Sequence, residues 1–262
     1  MQDSAIPKKS LGQHWLNDQA SLEAMVGSVG TNESDTILEI GPGLGSLTQL
    51  LIAKAKNVIA VEFDDRLAEA LPRRMQAPNL EVVNSDILGF DFTKVPAGYK
   101  IVANIPYYLT SNLIRVISET PNPPTSAALL IQKEVAERVA AAPGDMSLLS
   151  VTAQYYWEVS LGELVPAELF TPPPKVDSQI IVLSRRAKPL FDDVNEREFF
   201  RLVKAGYSQR RKTLLNSLSA GLQMEKPAVR TICESVGIDP VRRAQTLSLD
   251  EWHNLYLSLE TA

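Results

Sequence analysis

A planar amide, a proline and a phenol ring stand close together in Asn104-Ile105-Pro106-Tyr107-Tyr108-Leu109-Thr110-Ser111, directly after the run Lys100-Ile101-Val102-Ala103. The Asn104 side-chain oxygen can accept one hydrogen of an amine, and a backbone carbonyl near Ile105 or Pro106 can accept another. Pro106 fixes its own φ and stiffens the turn that sets these angles. Tyr107 offers a face on which a flat heterocycle can stack. Such a set can hold a planar amine in one orientation.

Three further sets follow strand-like runs. Glu39-Ile40-Gly41-Pro42-Gly43-Leu44-Gly45 leaves the run Thr36–Ile40 and opens a helical pattern. Gly41 and Gly43 let backbone approach a ligand closely, and a helix N-terminus adds amide donors. The spacing is G-x-G-x-G, not the G-x-G-x-x-G of dinucleotide enzymes. Taken alone, the loop suits nicotinamide proteins and S-adenosylmethionine (AdoMet) proteins alike. Glu62 ends the next run and can accept hydrogen bonds from both hydroxyls of a ribose. Asp86, in Ser85-Asp86-Ile87-Leu88 after the third run, can accept from an adenine amino group, with Ile87 packed on the ring. Ligands bind outside the carboxyl ends of parallel strands, so the three sets reinforce one another.

With a nucleoside cofactor so placed, the stretch from Asn104 becomes a clamp for the exocyclic amine of adenine. That amine is a poor nucleophile because its lone pair is delocalised into the ring. Accepting both its hydrogens holds it toward tetrahedral geometry and frees the lone pair for a methyl group. No strong general base is required, since the methylated ammonium is very acidic. Tyr107 would stack on the flipped-out base.

The elements that must position these residues alternate. Strand runs at 36–40, 57–61, 80–83, 101–103 and 127–131 are separated by helical patterns at 47–54, 65–74, 111–118 and 133–141. Such alternation means βαβ units and a mostly parallel sheet. A helix at 147–156 and two strands, 159–165 and 178–183, follow. The two strands flank the loop Phe170-Thr171-Pro172-Pro173-Pro174-Lys175, and with no helix between them they predict an antiparallel pair at the sheet's edge. From Arg186 onward only helices are expected: 196–207, 210–218, 227–236 and 249–259. The boundaries are therefore 1–185 for a cofactor-binding catalytic domain and 186–262 for a small all-helical domain.

Composition limits the alternatives. The 262 residues are 45% hydrophobic and 22% charged, ordinary for a globular chain that can bury a core without disulfides or metals. One cysteine, Cys233, and two histidines, His14 and His253, are too few for a Cys/His zinc cluster. Cys233 falls in an apolar-periodic run and reads as core. No apolar run reaches the roughly 18 residues of a membrane span, and the N-terminus lacks the apolar middle of a secretory signal, so a cytoplasmic protein is expected. The net charge of −5 argues against a simple polyanion binder. Residues 186–262 nevertheless hold 12 basic against 10 acidic side chains. Arg210, Arg211 and Lys212 there could engage phosphates.

These stretches resemble the rRNA adenine N6-dimethyltransferase family, of the class I AdoMet methyltransferases. The likeness runs through KKSLGQHWLND, EIGPGLGSLT, VIAVEFD, NSDIL, VANIPYYLTSNLI, IQKEVAERV, FTPPPKVDS, AGYSQRRKTLLNSL and RRAQTLS. It implies a Rossmann-like α/β sheet with AdoMet contacts at His14, Leu16, Gly41, Glu62, Asp86 and Asn104, and a segment from Lys8 to Leu16 that covers the cofactor. Trp15 departs from the phenylalanine more usual there. The helical stretches resemble the small-subunit branch. That implies dimethylation of two adjacent adenosines in a hairpin loop near the 3′ end of 16S rRNA, on a late assembly intermediate of the 30S subunit. From composition no metal is expected, and a monomer is expected. A large-subunit (23S) rRNA methylase of the macrolide-resistance kind fits less well, because its relatives are more basic. An assembly factor whose binding outweighs its chemistry, a nicotinamide oxidoreductase and a DNA adenine methylase are the other readings.

Overall fold

The computed structural model describes residues 12–260. Contacts divide the chain into two units. The first comprises residues up to 136 together with 158–185, and the second comprises 137–157 and 186 onward.

In the first unit, seven strands among the described residues form one sheet in the order β4-β3-β2-β5-β6-β9-β7. They are β2 (Thr36–Ile40), β3 (Asn57–Glu62), β4 (Leu80–Asn84), β5 (Lys100–Asn104), β6 (Ser126–Gln132), β7 (Trp157–Val165) and β9 (Ser178–Arg185). The strands from β4 to β6 pair in parallel, and β9 runs antiparallel to β6. The central strands are buried on both faces, as crossover helices require. The crossovers are α2 (Ser46–Lys54), α3 (Asp65–Met75) and α4 (Thr110–Glu119), with α5 (Lys133–Val139) following β6. This mostly parallel sheet with an antiparallel edge is the α/β, Rossmann-like architecture expected from the sequence.

Two elements of this unit were not expected. Helix α1 (Gln19–Ser28) starts at Asp18, whose side chain accepts from the Ser21 N–H at 2.8 Å. It buries Leu22, Met25 and Val26 against α2 and the sheet. The second is a two-stranded antiparallel sheet. In it β1 (Trp15–Leu16) pairs with β8 (Phe170–Thr171), Leu16 lying opposite Phe170.

The second unit is helical: α6 (Leu148–Tyr156), α7 (Glu196–Tyr207), α8 (Leu214–Leu222), α9 (Lys226–Ser235) and α10 (Leu249–Glu260). The sequence reading put the helix at 147–156 in the first domain. It groups here because Tyr155 stacks on Phe199 with centroids 5.4 Å apart, and Tyr156 on Phe200 at 6.0 Å. Helices α7 and α10 meet where Gly206 faces the buried Trp252. A Cβ on Gly206 would lie 2.3 Å from the indole, so only glycine allows this approach. Arg242 makes a two-pronged ion pair with Glu251, so the first arginine of RRAQTLS braces its own domain.

The helix expected over 210–218 begins instead at Leu214, with Thr213 as its N-cap. Helix α7 ends at Tyr207, and Lys212 N–H closes a turn onto the Gln209 carbonyl at 2.9 Å. Arg210, Arg211 and Lys212 therefore sit exposed on the α7–α8 connection rather than on a helix face.

Candidate active site

The carboxyl ends of β4, β3, β2 and β5 lie side by side, and each carries a residue singled out by the sequence. Asp86 and Ile87 follow β4, Glu62 ends β3, Gly41 and Gly43 follow β2, and Asn104 ends β5. One cleft brings all six together with His14, Leu16, Pro106 and Tyr107. Lys8 to Leu11 lie outside the described residues, so the covering segment is seen only from Gly12 onward.

The floor is built by local rules. Gly41 has φ +67° and donates its N–H to the Val61 carbonyl at 2.9 Å, which turns the chain out of β2. Gly43, at φ +57°, donates its N–H to Glu62 Oε2 at 3.0 Å. Glu62 Oε1 accepts from the Asp64 N–H at 2.8 Å. Burial raises the Glu62 carboxyl above the ordinary range, and these two N–H donors pull it back toward ionisation. Asp86 uses Oδ1 to accept from the Leu88 N–H at 3.0 Å, capping a short turn at Ile87–Gly89. Asp86 itself is exposed and Ile87 is buried, so a charge and an apolar surface adjoin.

The other wall comes from the Asn104 stretch and the N-terminal segment. The Asn104 Nδ2 donates to the His14 carbonyl at 3.2 Å. The Pro106 carbonyl accepts from the Leu109 N–H at 3.0 Å, closing the turn Tyr107–Leu109. Tyr107 is half-buried, with its hydroxyl 2.8 Å from Ser178 Oγ. Burial raises the Tyr107 phenol, an effect the Ser178 hydrogen bond opposes, so the ring works as a neutral anchored plate. The His14 ring lies nearly parallel to it, at 19° and a centroid distance of 6.0 Å. His14 Nδ1 donates to the Pro172 carbonyl at 2.7 Å.

Trp15, noted in the sequence as a departure within the covering segment, lies over Gly43, with its Nε1 3.1 Å from the place a Cβ would occupy. Two further contributors do not emerge from the sequence reading. Ser178 anchors Tyr107 from a strand far along the chain. Glu39 lines the cleft while only 1% exposed, and neither carboxylate oxygen has a partner in hydrogen-bonding geometry. Burial pushes its pKa up to about 8. The Thr48 hydroxyl pulls the other way, and the Glu62 charge adds to the rise. One signal for it was legible: a lone carboxylate in the apolar run Thr36-Ile37-Leu38-Glu39-Ile40, on the same strand face as Ile37.

Charge limits what this cleft can hold. Among the described residues it is lined by Glu39, Glu62 and Asp86 and by no lysine or arginine. A pyrophosphate would meet repulsion there. A nucleoside with a cationic end would find matching carboxylates.

Comparison with known proteins agrees with this geometry. Residues 6–261 match the family described as Ribosomal RNA adenine dimethylase. A protein of Dehalococcoides mccartyi (strain CBDB1) named Ribosomal RNA small subunit methyltransferase A is 42% identical, over 95% of this chain and 87% of its own. Its namesake from Enterococcus faecalis is 40% identical, over 97% and 90%. Among solved structures, a dimethyladenosine transferase from Plasmodium falciparum superposes with a TM-score of 0.81 at 26% identity, covering 95% of this chain and 98% of that one. The 23S rRNA methyltransferase ErmE gives 0.74 at 28% identity, covering 94% and 99%. On its sheet order, its strand-end residues and these matches, the chain belongs to the ribosomal RNA adenine dimethylase family.

Proposed function

We propose that this protein uses AdoMet to convert two adjacent adenosines near the 3′ end of small-subunit (16S) rRNA to N6,N6-dimethyladenosine. The observation that carries the cofactor reading is the acidic lining of the cleft, free of lysine and arginine among the described residues. The small-subunit reading rests on relatives at 40–42% identity that carry that name.

When bound, AdoMet supplies an electrophilic methyl group on a sulfonium. Asp86 would accept from the adenine amino group with Ile87 against the ring, and Glu62 would accept from the ribose hydroxyls. The main chain at Gly41 and Gly43 gives the close approach. His14 and Leu16 would cover the cofactor from the N-terminal side, and the Asn104 main chain would line its edge.

The target base would stack on Tyr107. The Asn104 Nδ2 is committed to His14, so Oδ1 is the atom left to accept one hydrogen of the target amine. The Pro106 carbonyl is committed to Leu109, which makes the Ile105 carbonyl the second acceptor. Holding both hydrogens fixes the amine lone pair toward the methyl. The excess proton of the methylated ammonium leaves to water. Arg210, Arg211 and Lys212 would bind rRNA phosphates on the pre-30S particle. A cytoplasmic monomer without a metal is the state expected.

The experiment is transfer from labelled AdoMet to undermethylated small subunits and, separately, to large-subunit rRNA, with the modified nucleoside identified by mass spectrometry. Dimethyladenosine in small-subunit rRNA alone is expected. Label in large-subunit rRNA would move the protein to the resistance branch. Cofactor binding with no transfer to either would favour an assembly role.

A further inference from the structure

The turn that leaves β5 carries two aromatic rings, and the reaction sketched above uses one of them. Tyr107 is half-buried, with its hydroxyl held at Ser178. Tyr108 is 61% exposed, yet it belongs to the lining of the same cleft. It makes no hydrogen bond and meets no other ring among the described residues. Single exposed rings are common on protein surfaces, so its position matters more than its exposure.

Local geometry fixes that position. Residues 107–109 form a tight 3-10 turn, closed by the Leu109 N–H on the Pro106 carbonyl at 3.0 Å. The Thr110 hydroxyl braces it by donating to the Tyr107 carbonyl at 3.0 Å. Successive side chains in such a turn point about 120° apart. With Tyr107 turned in toward Ser178, Tyr108 is directed to the mouth of the cleft. Gly12 backs the ring there: a Cβ on Gly12 would lie 3.6 Å from Tyr108 Cε1, 3.7 Å from its Cδ1 and 3.6 Å from Pro106 Cβ. Main chain supports one side of the ring and solvent meets the other.

The reaction supplies a ligand for such a ring. Swinging a target adenosine into the cleft breaks its stacking on the bases beside it, and each of those bases is left with a bare face. Phosphate contacts do not hold the flanking nucleotide at this mouth, because the lining has no lysine or arginine among the described residues. A stacking ring needs no charge, and every base offers it a π face. Phe63, the other exposed aromatic side chain of the lining, follows Glu62 at the end of β3, on the side assigned to the ribose. Tyr108 stands beside Asn104, on the side assigned to the target.

We infer that Tyr108 is a second base platform, on which a nucleotide flanking the flipped adenosine stacks while Tyr107 holds the target. This rests on the rRNA reading of the cleft. It also accounts for one cleft serving two adjacent targets. The two adenosines have different neighbours, and a platform that tolerates any base accepts both without rearrangement.

The test is co-sedimentation with undermethylated small ribosomal subunits of wild type, Tyr108→Ala, Tyr108→Leu and Tyr108→Phe, beside S-adenosylhomocysteine affinity and a melting curve for each. Tyr108→Ala and Tyr108→Leu should weaken subunit binding by about 5- to 150-fold. Tyr108→Phe should bind as wild type does, and cofactor affinity should hold in all three variants. Leucine keeps apolar bulk beside Gly12 but offers no ring. A leucine variant as tight as wild type would therefore assign the role to packing and overturn the platform. Unchanged binding by Tyr108→Ala overturns it as well, and so does a matching loss in Tyr108→Phe, which would assign the role to the hydroxyl. If Tyr108→Ala does not fold, the leucine and phenylalanine variants decide. Any of these results with wild type still methylating small subunits leaves the rRNA reading standing. Wild type that neither binds nor methylates them overturns both.

Discussion

The Asn104 side chain donates its amide hydrogen to the His14 carbonyl, 90 positions away in sequence, at 3.2 Å. This bond determines which end of a nearly symmetric amide faces the cleft. It turns a residue able to donate or accept into a fixed acceptor. Asn104→Ala should lower methyl transfer by roughly 100- to 1,000-fold, the usual scale for removing a pre-positioned polar group. The thermal midpoint should stay within a few degrees of wild type. Single-turnover transfer rates beside a melting curve check both, and near-normal turnover would reject the clamp.

Gly43 faces two constraints at once, a φ of +57° and the Trp15 indole 3.1 Å from any added Cβ. Gly43→Ala should destabilise the protein by about 1–3 kcal/mol and weaken cofactor binding. Trp15→Phe, which removes the indole N–H edge, should restore part of the loss in the double variant. The φ cost should remain. A double-mutant cycle on binding constants measures this coupling, and strictly additive losses would show that the indole does not press on the loop.

Glu39 also makes stability depend on pH, with a sign opposite to most carboxylates. Its folded pKa, about 8, lies above its unfolded value near 4.5. Between those values the unfolded chain ionises while the folded one keeps its proton. Folding stability without cofactor should therefore fall as pH rises from about 4.5 to about 8, by at most about 1.4 kcal/mol per pH unit from this group. Glu62, also raised, tilts the same way. Denaturant midpoints across that range should show a shallower decline for Glu39→Gln. An unchanged slope would mean the carboxyl is already ionised in the folded protein.

Arg210, Arg211 and Lys212 project from a turn, so their reach does not depend on a helix register. Changing all three to alanine should weaken rRNA binding while S-adenosylhomocysteine affinity stays within about twofold. The slope of log K against log salt should shrink by about 2 if all three meet phosphates. Filter binding across a salt series reads this, and an unchanged slope would remove the patch from the RNA interface.

The sheet and its strand-end residues were legible in the sequence because both follow from local patterns. Apolar runs mark buried parallel strands, and Gly41, Glu62, Asp86 and Asn104 each stand where such a run stops. Helix α1 was within reach, since Leu22, Met25, Val26 and Val29 keep helical spacing behind the Asp18 cap. It was masked by the motif-like segment just before it. The start of α8 was misplaced because Arg210-Arg211-Lys212 has good helix propensity, while Leu214 N–H donates to the Arg242 carbonyl, a bond only tertiary structure supplies. The contacts of Trp15 with Gly43 and of Ser178 with Tyr107 join distant stretches and leave no trace in spacing.

The pairing of Trp15–Leu16 with Phe170–Thr171 also bears on the order in which the molecule can be completed during synthesis. His14 and its partner Pro172 are 158 positions apart. At roughly 5–20 residues per second, the strands that carry Gly41, Glu62, Asp86 and Asn104 leave the ribosome several seconds before the segment that pins His14. During that interval the floor of the cleft can form without its roof. A nascent chain stopped before Phe170 would hold Glu39, Glu62 and Asp86, the carboxylates of the cleft, and still leave Leu16 without its partner strand. The methylating site is thus finished by a late-made stretch closing over an early-made one.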